Sequence, residues 1–229
     1  MKRLTLWRLD RELRRLQRLY VRGETTVIPD YLATLARARA LWLEGVPPRK
    51  RCVHLGAGGH HIEGWINVDV LPAGVDVLAD FLQPLPFRSG SVDLLHSEDL
   101  LEHLEVDAGK QLLRECHRIL RPGGVMRVLT PDLRALVQAI YIDRAHEHLA
   151  WCRQLLEANG PCEALNMHLR MDGEHRFVYD EEHLIDVLEA IGFRVRRVRY
   201  NASPVRELRY LDLRDFGLSM FLEAEKANA

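Results

Sequence analysis

An α/β fold with a mostly parallel sheet is what this sequence predicts, and three observations carry the prediction. From Arg51 onward, short apolar runs alternate with helical patterns, the signature of strands interleaved with helices. One strand pattern runs directly into a glycine-rich turn, Val53-His54-Leu55-Gly56-Ala57-Gly58-Gly59. Two closing strand patterns are joined by a link without a clear helix, which implies an antiparallel edge on the sheet. The 229 residues suffice for one such domain with a short appendage and a substantial core.

The appendage comes first. Leu4, Leu6, Trp7, Leu9, Leu13, Leu16, Leu19 and Tyr20 recur at near-helical spacing between arginines, which predicts an amphipathic helix. A second helix is expected over 30–44, after Pro29 and before Gly45. Pro47-Pro48 then marks the boundary between a helical appendage, 1–48, and the main domain, 49–229. Strands are expected at 52–55, 65–70, 75–79, 91–96 and 125–130. Ahead of the last, Asp107 can cap a helix whose buried stripe is Leu112, Leu113, Cys116, Ile119 and Leu120, and Pro122-Gly123-Gly124 stops it. Further on come a long helical region, 132–157, a helix over 181–190, a turn at Gly192, and strands at 193–200 and 218–224, with an irregular link through Pro204.

Composition excludes some classes. The hydrophobic fraction of 47% and the charged fraction of 28% are those of an ordinary soluble globular protein. A formal net charge of −1 gives no global reason to expect nucleic acid as a partner. Charge is biased locally, because eight basic residues face two acidic ones before Gly23. No signal peptide or membrane span is expected, so the cytoplasm is the expected location. Cys52, Cys116, Cys152 and Cys162 show no close pairing and read as reduced thiols. The histidines His60-His61 and His146-x-His148 lack the spacing that sets two ligands on one helical face, so no metal site is expected.

Two features at strand ends suggest ligand binding. Glycines after the first strand let the backbone turn sharply and approach a ligand closely, at the carboxyl end where open α/β sheets bind ligands. Trp65-Ile66-Asn67-Val68-Asp69 ends in an acid that can accept hydrogen bonds from both hydroxyls of a ribose. A solvated turn with a capping aspartate would read the same way. Three further stretches, in this order along the chain, tilt the balance: ADFLQPLPF, SVDLLHSEDLLEHL and ECHRILRPGGVMRVLTPD.

With these stretches, and with VHLGAGG and GWINVD before them, the chain resembles class I S-adenosylmethionine-dependent methyltransferases of the group called methyltransferase type 11. The resemblance is strong from about Arg51 to Thr130 and weaker to Ala224. It implies a Rossmann-like, doubly wound sheet of about seven strands with the last antiparallel, and S-adenosyl-L-methionine as cofactor. By position, Gly56, Ala57 and Gly58 match the turn under the methionine and ribose portions, and Asp69 the ribose-binding acid. Asp80 with the backbone of Phe81 matches the adenine-end contact, and Ser97 the residue flanking the methionine moiety. Glu102 and His103 match the family's Glu-His-Leu segment, where orienting a loop is favoured over catalysis.

The chain departs from the family in spacing. Asp69 follows Gly56 by 13 residues, where a crossover helix would give about 20, so the first helix is expected to shrink to a turn. That shortening argues against a nicotinamide oxidoreductase, which uses the helix N-terminus to hold a pyrophosphate. Two rivals stay open: a binding or scaffold protein without turnover, and an RNA or protein methyltransferase docking through the basic N-terminal helix. The acceptor is expected to be a small molecule or glycan, by family association.

The polar stretch 166–179 is the expected acceptor side. There His175 is a candidate general base and Tyr179 a candidate catalytic hydroxyl, with anchoring of the loop as the alternative for both. Residues 1–23 are expected to pack on their own domain or on a second subunit, making a monomer or homodimer, with an interfacial helix on an anionic membrane as the sharper alternative.

Overall fold

The computed structural model describes residues 51–70, 75–144, 149–150, 152, 157–213, 215 and 217–228. The expected appendage, 1–48, with its two helices and its Pro-Pro boundary, lies outside the described residues. Seven strands form one sheet: β1 Cys52–Leu55, β2 Ile66–Asp69, β3 Val77–Leu78, β4 Val92–Glu98, β5 Leu120–Pro131, β6 Phe193–Arg197 and β7 Ser219–Lys226. Their order is β3-β2-β1-β4-β5-β7-β6. Strands β1 to β5 are parallel, and β7 runs antiparallel to both β5 and β6. The last strand is therefore antiparallel as expected, but it is inserted between β5 and β6. The edge strand on that side is β6.

One face of the sheet is apolar. Helix α1, Val106–Ile119, buries Leu112, Leu113, Cys116 and Ile119 against Val53, Leu55, Leu95, Met126 and Val128. Its N-cap is Glu105, whose side chain makes no capping bond; Asp107 lies in the first turn, where a carboxylate complements the helix dipole. The Pro122-Gly123-Gly124 sequence does not stop the helix. It lies inside β5, where the register with β4 shifts between Val92↔Leu120 and Leu94↔Val125, so the helix gives way to strand at Leu120.

The long helical region expected from residue 132 begins as a short helix, α2 Leu133–Leu136, and widens into a π-helical turn, Val137–Ile142. A further helix, α3 Pro161–Arg170, runs into the start of the polar stretch 166–179. Pro161 opens it at the first helical position, where proline's fixed φ and missing N–H are tolerated. Helix α4, Glu181–Ile191, is capped by the Asp180 carboxylate, which accepts from the His183 N–H at 2.8 Å, and is ended by Gly192 at φ +111°. Leu184, Val187 and Leu188 of α4 join the core under α1.

The first crossover lacks a helix, as its spacing requires. Between Leu55 and Ile66 the chain runs as turns, and the Asn67 side chain holds their second half. The Asn67 oxygen accepts from the Ile62 N–H at 2.9 Å, and its amide donates to the carbonyls of Ile62 and Trp65 at 3.1 and 3.2 Å.

The opposite face carries a polar row that crosses six strands in register: Asn67, His54, His96, Arg127, Glu223 and Arg196. Arg127 is fully buried and every guanidinium donor is used. Nε and Nη2 donate to the two oxygens of Asp212, Nη1 to Glu223 and the Ala202 carbonyl, and Nη2 also to the Arg199 carbonyl. Asp212 in turn is clasped to Asn201 by two bonds, each from a backbone N–H to the other's side-chain oxygen. The link between β6 and β7 is thereby tied down over this face.

Candidate functional site

The carboxyl ends of the parallel strands gather most of the sequence-predicted residues. The chain leaves β1 at Leu55 and turns through Gly56 at φ +73° and Gly58 at φ +52°, backbone that a side chain disfavours. The N–H groups of Gly56 and Ala57 both donate to the Val68 carbonyl, at 2.9 and 3.0 Å. The Gly58 N–H donates to the Asp69 carboxylate at 2.7 Å. The turn therefore folds over the tip of β2, with Asp69 as its brace. A Cβ added at Gly58 would meet nothing within 4 Å, so the turn faces open space there.

Asp80 is brought to the same edge by the Ala79 N–H, which donates to the Asp69 carbonyl. Its side chain is exposed and accepts from the Leu82 N–H at 2.9 Å, while the Phe81 ring is buried in the core. Ser97, buried, stands in register with Leu55. Two residues on, Asp99 takes φ +49°, strained for a residue other than glycine, and its N–H donates to the Leu129 carbonyl. His60, His61 and Glu63, in the shortened crossover, are exposed.

A second group forms just past β4. The 3-10 turn Leu101–His103 presents Glu102 and His103. The Glu102 carboxylate is buried and accepts from the Thr130 hydroxyl of β5 at 3.0 Å. Its backbone carbonyl accepts the N–H groups of Arg176 and Phe177, at 2.7 and 3.2 Å. Orienting a loop, the role expected for this segment, is what that carbonyl does. The loop it holds delivers His175, whose ring lies edge-on to His103 with centroids 5.2 Å apart. Glu102, His103 and His175 each offer one ligand atom within 4.8 Å of the others. Sequence reading expects no metal and misses this grouping. His103 and its partner Glu174 are 71 positions apart, and nothing in that spacing joins them.

The Tyr179 side chain does not open onto this edge, although its carbonyl accepts from the Leu133 N–H just past β5. It is fully buried in the main core, packed against Phe177 and His183. Its hydroxyl finds no hydrogen-bond partner among the described residues and lies where a Cβ on Gly109 of α1 would come within 2.6 Å. Burial, and then the Glu102 charge, push its pKa up to about 12, the opposite of what a proton-accepting phenolate needs. The geometry makes it a packing residue, in line with the anchoring alternative.

Comparisons with known proteins agree with this geometry. A family model described as a methyltransferase domain matches residues 67–128, from β2 into β5. That stretch, about a quarter of the chain, is thus similar to a methyltransferase domain. A "Probable S-adenosylmethionine-dependent methyltransferase" from Mycolicibacterium smegmatis is 43% identical over 58 residues, 25% of this chain and 22% of that protein. An uncharacterized 37.1 kDa transposon protein from Streptomyces fradiae is 32% identical over 106 residues, 46% of this chain and 28% of its own length. The similarity thus spans about a quarter of each of these relatives. The YcgJ protein of Bacillus subtilis shares the fold of this chain, with a TM-score of 0.50 and 14% identity, over 84% of this chain and 99% of that one. Among the described residues no helix is long and apolar enough to cross a membrane.

Proposed function

We propose that the protein is an S-adenosylmethionine-dependent methyltransferase acting on a nucleophilic atom of a small-molecule or glycan acceptor. The observation that carries this reading is the convergence of Gly56–Gly58, Asp69, Asp80 and Ser97 at one sheet edge. The residues suit the cofactor. The open turn at Gly58 admits a close approach of the ligand to backbone, and Asp69, braced by that turn, is a carboxylate suited to ribose hydroxyls. Asp80 and the Phe81 backbone would hold the adenine end, and Ser97 the methionine end. When bound, the cofactor supplies an electrophilic methyl, so the protein's task is alignment and, for a hydroxyl or amine acceptor, removal of a proton.

The group Glu102, His103 and His175 suits that second task, standing beside the ends of β4 and β5. In this reading His175 faces the acceptor, and Tyr179 supports the wall behind it. A small polar or sugar-like acceptor is favoured by the family resemblance.

The test is methyl transfer from radiolabelled cofactor into a cell extract, fractionated by size and by nuclease sensitivity. Label in the small-molecule or glycan fraction is expected. Label confined to RNA or protein would overturn the acceptor class, and cofactor binding with no transfer to any fraction would leave a binding protein.

A further inference from the structure

We propose that Glu102, His103 and His175 bind a divalent transition metal of the zinc class. The inference deepens the acceptor end of the methyltransferase reading and rests on it only for the use made of the metal. The donor set is two imidazoles and one carboxylate, a combination that first-row divalent ions favour and that leaves a position for an oxygen ligand from an acceptor.

Orientation supports it. His103 Nδ1 lies 3.0 Å from the Glu174 carbonyl, which can only accept, so Nδ1 carries a proton and Nε2 is the ring nitrogen a metal would take. That Nε2 lies 3.9 Å from the nearer Glu102 oxygen. Without a metal, a proton on Nε2 would make this an imidazolium–carboxylate contact, and a divalent ion would take that proton's place between the two. A ring N–H held by a backbone carbonyl is the usual support for a metal-binding histidine. The carboxylate is supported in the same way, since its other oxygen accepts from Thr130.

The third ligand is held independently of any ion. Arg176 and Phe177 donate to the Glu102 carbonyl and His175 N–H donates to the Arg170 carbonyl, so both sides of His175 are pinned beside the 3-10 turn. Their attachment to backbone makes the three ligands a preformed set, which lowers the ordering cost of binding.

The experiment uses the full chain, stripped with chelator and then titrated with zinc alone against a chromophoric competitor, with the visible spectrum of cobalt(II) as a second readout. One equivalent is expected to bind tightly to the wild type. His175→Ala and Glu102→Gln should each weaken it at least about tenfold, and Thr130→Val, which removes only the support of the carboxylate, by about tenfold as well. His117→Ala, at the far end of α1 against Phe193, should bind as the wild type does. Circular dichroism establishes that each variant is folded. Absence of tight zinc binding by the wild type, or stoichiometric binding retained in folded His175→Ala and Glu102→Gln, would overturn the proposal. Because no S-adenosylmethionine is added, either result leaves the cofactor reading untouched.

Discussion

The two faces of the sheet are built on different physics. In register, Ile66, Val53, Leu95, Met126, Ala224 and Val195 form an apolar row, while the adjacent row, Asn67, His54, His96, Arg127, Glu223 and Arg196, is polar. Successive residues of a strand point to opposite sides, so the first row packs under α1 and α4 and the second faces the other way. Sheets of this type usually bury apolar residues on both faces because crossover helices cover both. Here the β1–β2 crossover is only a run of turns, and a helix that is not there cannot bury an apolar row. Beside a small apolar cluster of Cys52, Leu94, Val125 and Leu208, hydrogen bonds and ion pairs do much of the holding: Asn67 organises the crossover and Arg127 ties down the link between β6 and β7. A face held by charges should fail by different routes from one held by packing.

The largest effect expected is at Arg127. Arg127→Ala leaves Asp212 buried without its cation and Glu223 with Arg196 alone, which should cost about 3–5 kcal/mol in urea unfolding. Arg127→Met with Asp212→Leu should recover part of that loss, since removing both charges removes the desolvation cost too. A loss below about 1 kcal/mol in the single variant would show that the polar row is not what holds this face.

Acid should come next, and should act on the same face. Burial, then the neighbouring His96, lowers the His54 pKa to about 3. An unfolded histidine titrates near 6.5, so between these values the unfolded chain takes up a proton that folded His54 does not. Stability is then lost as pH falls from about 6.5 toward 3, at up to about 1.4 kcal/mol per pH unit for this one group. His54→Gln should lose less stability than the wild type between pH 7 and pH 5. Equal losses would remove His54 from the account.

On the apolar face the sensitivity is steric. Gly109→Ala would gain about 0.5–1 kcal/mol from helix propensity but would place a methyl 2.6 Å from the Tyr179 hydroxyl, so it should destabilise by about 1 kcal/mol net. In a Tyr179→Phe background the clash is relieved and the same substitution should stabilise. Tyr179→Phe alone should keep its melting temperature and any turnover. Strong loss of turnover without loss of stability would return Tyr179 to the chemistry.

How much of this is legible in the sequence depends on the range over which each feature is determined. β1 can be read to the residue because Cys52–Leu55 is bounded by Arg51 and Gly56, and both closing strands can be found because their patterns are local. The absence of a helix after β1 comes from counting to Asp69. The place of β7 between β5 and β6 does not, because strand order depends on pairing across long separations. Helix α3 escapes a sequence reading because Pro161 reads as a breaker and yet stands at the first helical position, the one place it fits. The residues expected to hold the cofactor are legible because each lies at or just past the end of a strand. The association of Glu102 with His175 is not, because it depends on the backbone bonds from Arg176 and Phe177 to the Glu102 carbonyl. Tyr179 is expected at the acceptor side from its place in a polar stretch, and its burial under α1 cannot be seen in that stretch alone.

Both faces serve the edge at which the glycine turn meets Asp69, and that edge carries the central claim. The direct measurement is calorimetric titration of S-adenosylmethionine into the full-length protein and into Asp69→Ala of verified fold. The account predicts saturable binding by the wild type. It also predicts a loss of at least about tenfold in the variant, since hydrogen bonds to a charged group contribute about 1.5–3 kcal/mol each. No binding by the wild type, or the same affinity in the folded variant, would contradict it.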